Sequence, residues 1–390
     1  MAELTPEQAA RVAVEVYRVR SSGSVNELAP SDPMQSIGRL FASASNTRLQ
    51  GVSGALAWTE ITGFGYVAPG LPGTEFAGDT LIALRGTDTL ADALTDARCG
   101  FQMGPSGTMV HEGFATTWNS IAPQLRRYFD GHRPRAVHCV GHSLGGALAS
   151  LAADYVSAQV TSDVRLYTFG SPRPGGVAFA NRFTQRVGVD RIRRVYHPAD
   201  PVAMVPVFPF LHLPYGAGGY ALTCDASQRI SPGAHSSETS YLPGVHGKTW
   251  SQLQGNGAQT LTDRQIREWL GRAAQGGGLL SFGARTAELI GIALDWILRQ
   301  AAQVVLVGVQ SVITGGLTAL DQLAWLLERG AALSARVAGY VESLISVIFR
   351  FLGRTVRAGV SLTQQFIQWV LETMLSTLRA MVRAAINATR

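Results

Sequence analysis

The stretch Val137-His138-Cys139-Val140-Gly141-His142-Ser143-Leu144-Gly145-Gly146-Ala147 is the point from which the rest of the chain can be read. β-Formers precede Gly141, and an Ala/Leu-rich run continues from Leu144 to about Val156, so the order is strand, tight turn, helix. The turn fits G-x-S-x-G, in which a serine hydroxyl is lifted out of a sheet on a sharp strand-to-helix corner. Glycines at 141 and 145 allow strand and helix to approach closely. The Leu144 N–H then stands at a helix N-terminus, where a developing oxyanion is stabilised. A chain with 43 glycines can produce G-x-S-x-G by chance. The flanking strand and helix are, however, the context that the chemistry requires. Ser143 is therefore the candidate nucleophile.

Upstream, Thr5-Pro6-Glu7-Gln8 opens a helix with a capping threonine, proline at the first helical position and glutamine at the capping-box position. Ala9, Val12, Ala13, Val16 and Tyr17 continue it at helical spacing to about Arg20. Residues 21–50 read as irregular, 54–67 as two strands with a turn near Gly63, and 79–85 as a buried strand. A helix is expected over 115–129. Downstream of the elbow come a strand over 164–169, a helix over 181–187 and a strand over 192–196 that runs into His197-Pro198-Ala199-Asp200-Pro201. Alternating strands and helices indicate an α/β fold with a mostly parallel sheet, whose binding groups gather at the strand C-terminal ends.

At 390 residues, 46% of them apolar and 15% charged, the chain has ample core material and suggests more than one domain. The net charge of +6 comes from scattered residues, 32 arginines and the lone Lys248, without the dense clusters of a nucleic-acid binder. Cys99, Cys139 and Cys224 are far apart and odd in number, so they form neither a disulfide framework nor a zinc spacing. The first twenty residues lack a basic segment followed by an apolar one. The expectation is synthesis in the cytoplasm without a signal peptide, then membrane association or export by a non-classical route.

Taken in order, LIALRGT (81–87), ALTDA (93–97), VHEGF (110–114), GHSLGGALA (141–149), YTFGSPRPG (167–175) and ADPVAMVP (199–206) resemble the class 3 lipases of the α/β-hydrolase superfamily, over roughly residues 50 to 250. The resemblance implies a triad in the order Ser, Asp, His. Asp200 is the candidate acid, on a Pro-flanked loop after a strand; Asp190 and Asp225 are weaker rivals, and Asp96 is expected to be structural. The histidine must follow Asp200, which leaves His212, His235 and His246. His235 is preferred because Tyr241 and Leu242 follow it, as in the family's closing helix; His246, with Trp250 downstream, is the alternative. Thr87 and Leu144 are the implied oxyanion-hole donors. The family's lid would fall on 88–94, which lacks the usual tryptophan. His111 and His142 are expected to flank the site, and His138 to be a strand residue.

Beyond residue 254 the composition changes. Glycine-bearing linkers surround a helix over 262–272, and from Leu279 the chain has no proline and persistent helical periodicity, such as Val337, Val341, Leu344, Ile345 and Ile348. The division expected is a hydrolase-type domain over 1–272 and an all-α region over 279–390. Residues 300–320 are uncharged, but three glutamines and Gly315-Gly316 make them a poor membrane span. Ten arginines against six acids from Gly276 onward leave two readings: a bundle packed onto itself or onto the first domain, or amphipathic helices docking on an anionic membrane. A protein partner for these helices is also open. The expected activity is serine-dependent hydrolysis of a lipid ester, phospholipid or acylglycerol, needing no metal or organic cofactor. The rivals are a thioesterase or acyltransferase using the same triad, and a membrane- or partner-binding helical protein with a vestigial hydrolase domain.

Overall fold

The computed structural model describes residues 2–18, 38, 40–41, 48–53, 60–86, 100–161, 163–206, 209–223, 228–254, 261–278, 281–305, 319–355 and 360–388. Seven strands form the main sheet in the order β1-β2-β3-β6-β7-β8-β9. Strands β1 (Arg48–Ser53), β2 (Glu60–Pro69) and β3 (Thr80–Leu84) pair antiparallel. From β3 onward, β6 (Val137–His142), β7 (Val164–Phe169), β8 (Ile192–Tyr196) and β9 (Tyr220–Ala221) run parallel. A separate hairpin joins β4 (Phe101–Met103) to β5 (Met109–His111). The sheet is thus mostly parallel and flanked by helices, as the alternation of segments predicts. The strands β3 and β6 are buried along their whole length, which is why β3 reads as a short apolar run after Thr80, while β6 buries His138 and His142 among apolar and small residues.

Two differences from the sequence reading concern the antiparallel edge. The run around Gly63 is not a turn between two strands. Gly63 lies inside β2 opposite Gln50, where the pairing register shifts, so the irregularity is a bulge. Residues 48–50, read as irregular, belong to β1. The first helix, α1 (Pro6–Glu15), carries both halves of the expected capping box and tightens to a 3-10 turn over Val16–Arg18.

Helix α2 (Glu112–Gly131) covers β1 and buries Trp118, Ile121, Leu125 and Phe129. Helix α3 (Leu144–Gln159) lies against β6 and β7 and is buried almost all round, so it is a core helix and not an amphipathic surface one. Helix α4 (Val177–Val187) begins four residues earlier than the periodicity suggested.

After α5 (Asp263–Ala274) come α6 (Ala284–Val305), α7 (Ala319–Leu333), α8 (Ala335–Phe351) and α9 (Gln364–Ala388). Their apolar faces pack against one another: Val337, Val341, Leu344, Ile345 and Ile348 of α8 are all buried, and so are Ile367, Val370, Met374 and Leu378 of α9. They also join one continuous apolar cluster with the residues beneath the sheet. No helix among the described residues is long and apolar enough to cross a membrane, and most of 300–320 lies outside the described residues.

Candidate active site

The site begins at the elbow. Ser143 joins β6 to α3 with φ 57° and ψ −136°, a backbone state that L-residues rarely adopt and that surrounding structure must hold. The need for glycine on either side is steric. A Cβ on Gly141 would lie 2.2 Å from the Gly145 carbonyl oxygen, and one on Gly145 would lie 2.3 Å from the Leu84 carbonyl oxygen. The Ser143 N–H donates to the Phe169 carbonyl and the Gly146 N–H to that of Ser143, fixing the corner to β7.

The parallel register brings the C-terminal ends of β6, β7 and β8 to one edge, and the loops after β8 bring the partners. His235 Nε2 is 2.7 Å from Ser143 Oγ, and His235 Nδ1 is 2.8 Å from Asp200 Oδ2. Asp200 and His235 are fully buried and Ser143 is 4% exposed. The Asp200 carboxylate also accepts the Tyr241 hydroxyl at 2.6 Å and the Val202 N–H at 2.8 Å. Burial pushes the Asp200 pKa up, but the charge and hydrogen bond of His235, with those of Tyr241 and Val202, hold it below the usual carboxylate value. An ionised Asp200 accepts the Nδ1–H, so Nε2 carries the lone pair and the Ser143 hydroxyl donates to it. That arrangement can take a proton from serine and return it to a leaving group.

The remaining histidines are placed elsewhere. His246 is exposed and pairs with Glu7 at 3.1 Å. The imidazole of His212 is held by the Ala203 carbonyl at 2.8 Å. His111 accepts the Gly113 N–H at the start of α2, and His138 is buried between Asp79 and Tyr167. His142 lies directly beneath His235. Its Nε2–H donates to the His235 carbonyl at 2.8 Å, which leaves Nδ1 to accept the Tyr17 hydroxyl at 3.0 Å. Burial, then the nearby His235, lowers the His142 pKa to about 3, so it is a neutral prop. Burial raises the Cys139 thiol well above its usual pKa, which leaves it unreactive.

Leu144 opens α3, so no preceding helical turn supplies an acceptor for its N–H. Gly86 lies beside it: a Cβ there would be 3.3 Å from the Leu144 nitrogen. Thr87, residues 88–94, Asp96 and Asp225 lie outside the described residues. Asp190 is exposed in a short turn before β8. Two contributors were not legible beforehand: Tyr241 as a hydroxyl donor to Asp200, and Tyr17 as the partner of His142. Both contacts join segments distant in the chain and leave no local pattern.

Residues 81–210 match the model of the lipase (class 3) family. Over this segment the chain is similar to the class 3 lipases. Over 142 residues the chain is 34% identical to secreted mono- and diacylglycerol lipase 1 of Fusarium solani, covering 34% of this chain and 42% of that one. Over 197 residues it is 27% identical to secreted mono- and diacylglycerol lipase A of Penicillium cyclopium, covering 48% and 61%. A crystal structure of a mutant form of MDLA from Penicillium cyclopium aligns with a TM-score of 0.41 at 21% identity, over 58% of this chain and 82% of that one. The chain spans between 27% and 61% of the length of such curated relatives.

These relatives correct one expectation. Both of the relatives named above, and secreted mono- and diacylglycerol lipase 2 of Gibberella zeae, carry names of secreted lipases, which points to export. The reading of cytoplasmic synthesis without a signal peptide, followed by membrane association or a non-classical route, rested on N-terminal hydropathy alone and is overturned.

Proposed function

We infer that the chain is a serine carboxylic ester hydrolase acting on lipid esters, with acylglycerols favoured over phospholipids. The hydrogen-bonded line from Ser143 Oγ through His235 to Asp200, all within 2.8 Å steps, is the observation that carries this reading. Its support from relatives is the printed names of the two mono- and diacylglycerol lipases.

In this reading His235 Nε2 takes the Ser143 proton as Oγ attacks the ester carbonyl. Asp200 holds the tautomer and stabilises the imidazolium, and Tyr241 holds Asp200. The Leu144 N–H, with Thr87 as the second donor, stabilises the oxyanion. The imidazolium then returns its proton to the leaving alcohol, and water repeats the cycle on the acyl-enzyme. A thioesterase or acyltransferase would use the same steps with a different leaving group or acceptor. Residues 1–272 would form the hydrolase-type domain, and the helices of 279–390 would brace it, since their apolar faces are spent on packing.

Hydrolysis of p-nitrophenyl esters and of a diacylglycerol by the wild type and by Ser143→Ala tests the proposal. The expected loss in kcat is about 10⁴–10⁶-fold. Equal rates for both proteins on every ester would refute it.

A further inference from the structure

Between the sheet and α6 lies a cavity of about 490 Å³ whose wall includes the buried Asp200 but neither Ser143 nor His235. Its size falls in the range of about 300–1,000 Å³ typical of small-molecule sites, which favour junctions between packed units. Its two walls differ in chemistry. On the sheet side stand Arg173, Arg194 and His212. On the helical side stand Ile290, Leu294, Phe351, Met374 and Leu378.

The two arginines are the unusual feature. Arg173 is committed in part, since it donates to the carbonyls of Met204 and Pro206, while its Nη2 faces Gly291 of α6 at 3.9 Å from where a Cβ would stand. Arg194 lies over the Tyr196 ring at 4.2 Å, and its buried Nε has no hydrogen-bond partner among the described residues. Among those residues neither guanidinium has a carboxylate within ion-pair distance. Burial, then the Arg194 charge, lowers the Arg173 pKa to about 10, and burial lowers that of Arg194 as well. His212 is held neutral by burial and by the same two charges. Four carboxylates among the described residues share the wall. Asp200 is held by His235 and Tyr241, Asp263 is exposed, and Glu288 pairs with Arg285 at 2.5 Å. Asp295 Oδ2 pairs with Arg299 at 2.6 Å, while its buried Oδ1 has no hydrogen-bond partner among the described residues. The indole N–H of Trp296, also in the wall, has no partner among the described residues.

A buried cation with an orphaned donor is costly unless an anion meets it. The carboxylates already on the wall disfavour a multiply charged anion such as phosphate and leave at most a single negative charge for Arg173 and Arg194 to meet. The apolar wall opposite calls for a hydrocarbon chain. We propose that this cavity binds a long-chain fatty acid, its carboxylate on Arg194 and Arg173 and its chain along the apolar residues of α6, α8 and α9. The site meets the Ser143 machinery through Asp200 alone of the three triad residues, and it stands whether or not the chain is an esterase.

Titration calorimetry of the full chain carrying Ser143→Ala, which prevents turnover of any ester, reads this directly. The probes are sodium myristate below its micelle concentration, tetradecanol and sodium acetate. Myristate saturates at one per chain, and tetradecanol and acetate each bind at least about tenfold more weakly, the loss of a charge-assisted contact or of the chain. Arg194→Met removes the charge and keeps the stem. Gly291→Leu, at a helical position where a Cβ would meet only Arg173 Nη2 in ordinary contact at 3.9 Å, fills the cavity and is favoured by helix propensity. Each weakens myristate at least about tenfold, with thermal unfolding monitored to show that the variant is folded. The proposal is overturned by any of three results: no saturable myristate binding; tetradecanol or acetate binding as tightly as myristate; or both folded variants binding like their parent.

Discussion

Ser143 and His142 are adjacent in sequence but serve opposite needs. The serine must reach out of the sheet, and its left-handed φ of 57° does that at a cost of order 1–3 kcal/mol, which the packed corner offsets. The histidine must stay neutral beneath His235, because its Nδ1 accepts from Tyr17. A protonated His142 would lose that acceptor. Its pKa of about 3 in the folded chain lies below the ordinary 6.5. As pH falls through 6.5 the unfolded chain therefore takes the proton first, and stability declines until the folded pKa is passed. His142→Gln keeps a donor and an acceptor but cannot titrate. Its stability should fall less steeply between pH 6.5 and 3, by a slope of about 1.4 kcal/mol per pH unit. Urea unfolding across that range checks this, and parallel curves for the two proteins would refute it.

At the scale of elements, the elbow works because two backbones touch. Gly145 of α3 faces the Leu84 carbonyl and Arg85 at the end of β3, with no flexible side chain between them that could give way. Gly145→Ala should push α3 off the sheet and cost about 1–3 kcal/mol or more, with Ser143 displaced and ester hydrolysis lost. Chemical denaturation and p-nitrophenyl ester turnover measure both effects. Unchanged stability would mean that strand and helix do not approach so closely. The same contact explains why G-x-S-x-G was readable: a steric requirement confined to five consecutive residues leaves a mark in the sequence.

Across the whole molecule, the last helices support the loops that carry the site. Ala199, next to Asp200, packs with Ala234, next to His235, and with Ala284 at the start of α6. The Ile230 N–H donates to the Phe282 carbonyl, the Ala284 N–H to that of Gln228, and the Ser231 N–H to that of Ala199. Helix α9 lies against the turn Pro232–His235. A chain ending at residue 278 would lose these supports and expose the apolar surface that α6 and α9 cover. Such a truncated protein should be less soluble and should lose most of its esterase activity. Full activity and an unchanged unfolding midpoint would show that the helices are dispensable.

The sequence by itself determined what depends on neighbours in the chain. The buried strands, the capped first helix, the glycine-flanked Ser143 and the periodic faces of α8 and α9 all follow from local sterics and hydrophobic spacing. The residues after His235 favoured it by resemblance, but only the tertiary structure decided which of His212, His235 and His246 meets Ser143, because each follows Asp200 and the contact joins segments far apart in the chain. His235 is brought there by a turn held between Ala199 and α9, while His246 is left on the surface with Glu7. It also decided what the terminal helices cover, since an apolar face looks the same in sequence whether it meets a bilayer or another helix. Residues distant in sequence become partners only when the core closes, and that closure set the aspartate–histidine–serine line and the arginine-lined cavity behind it.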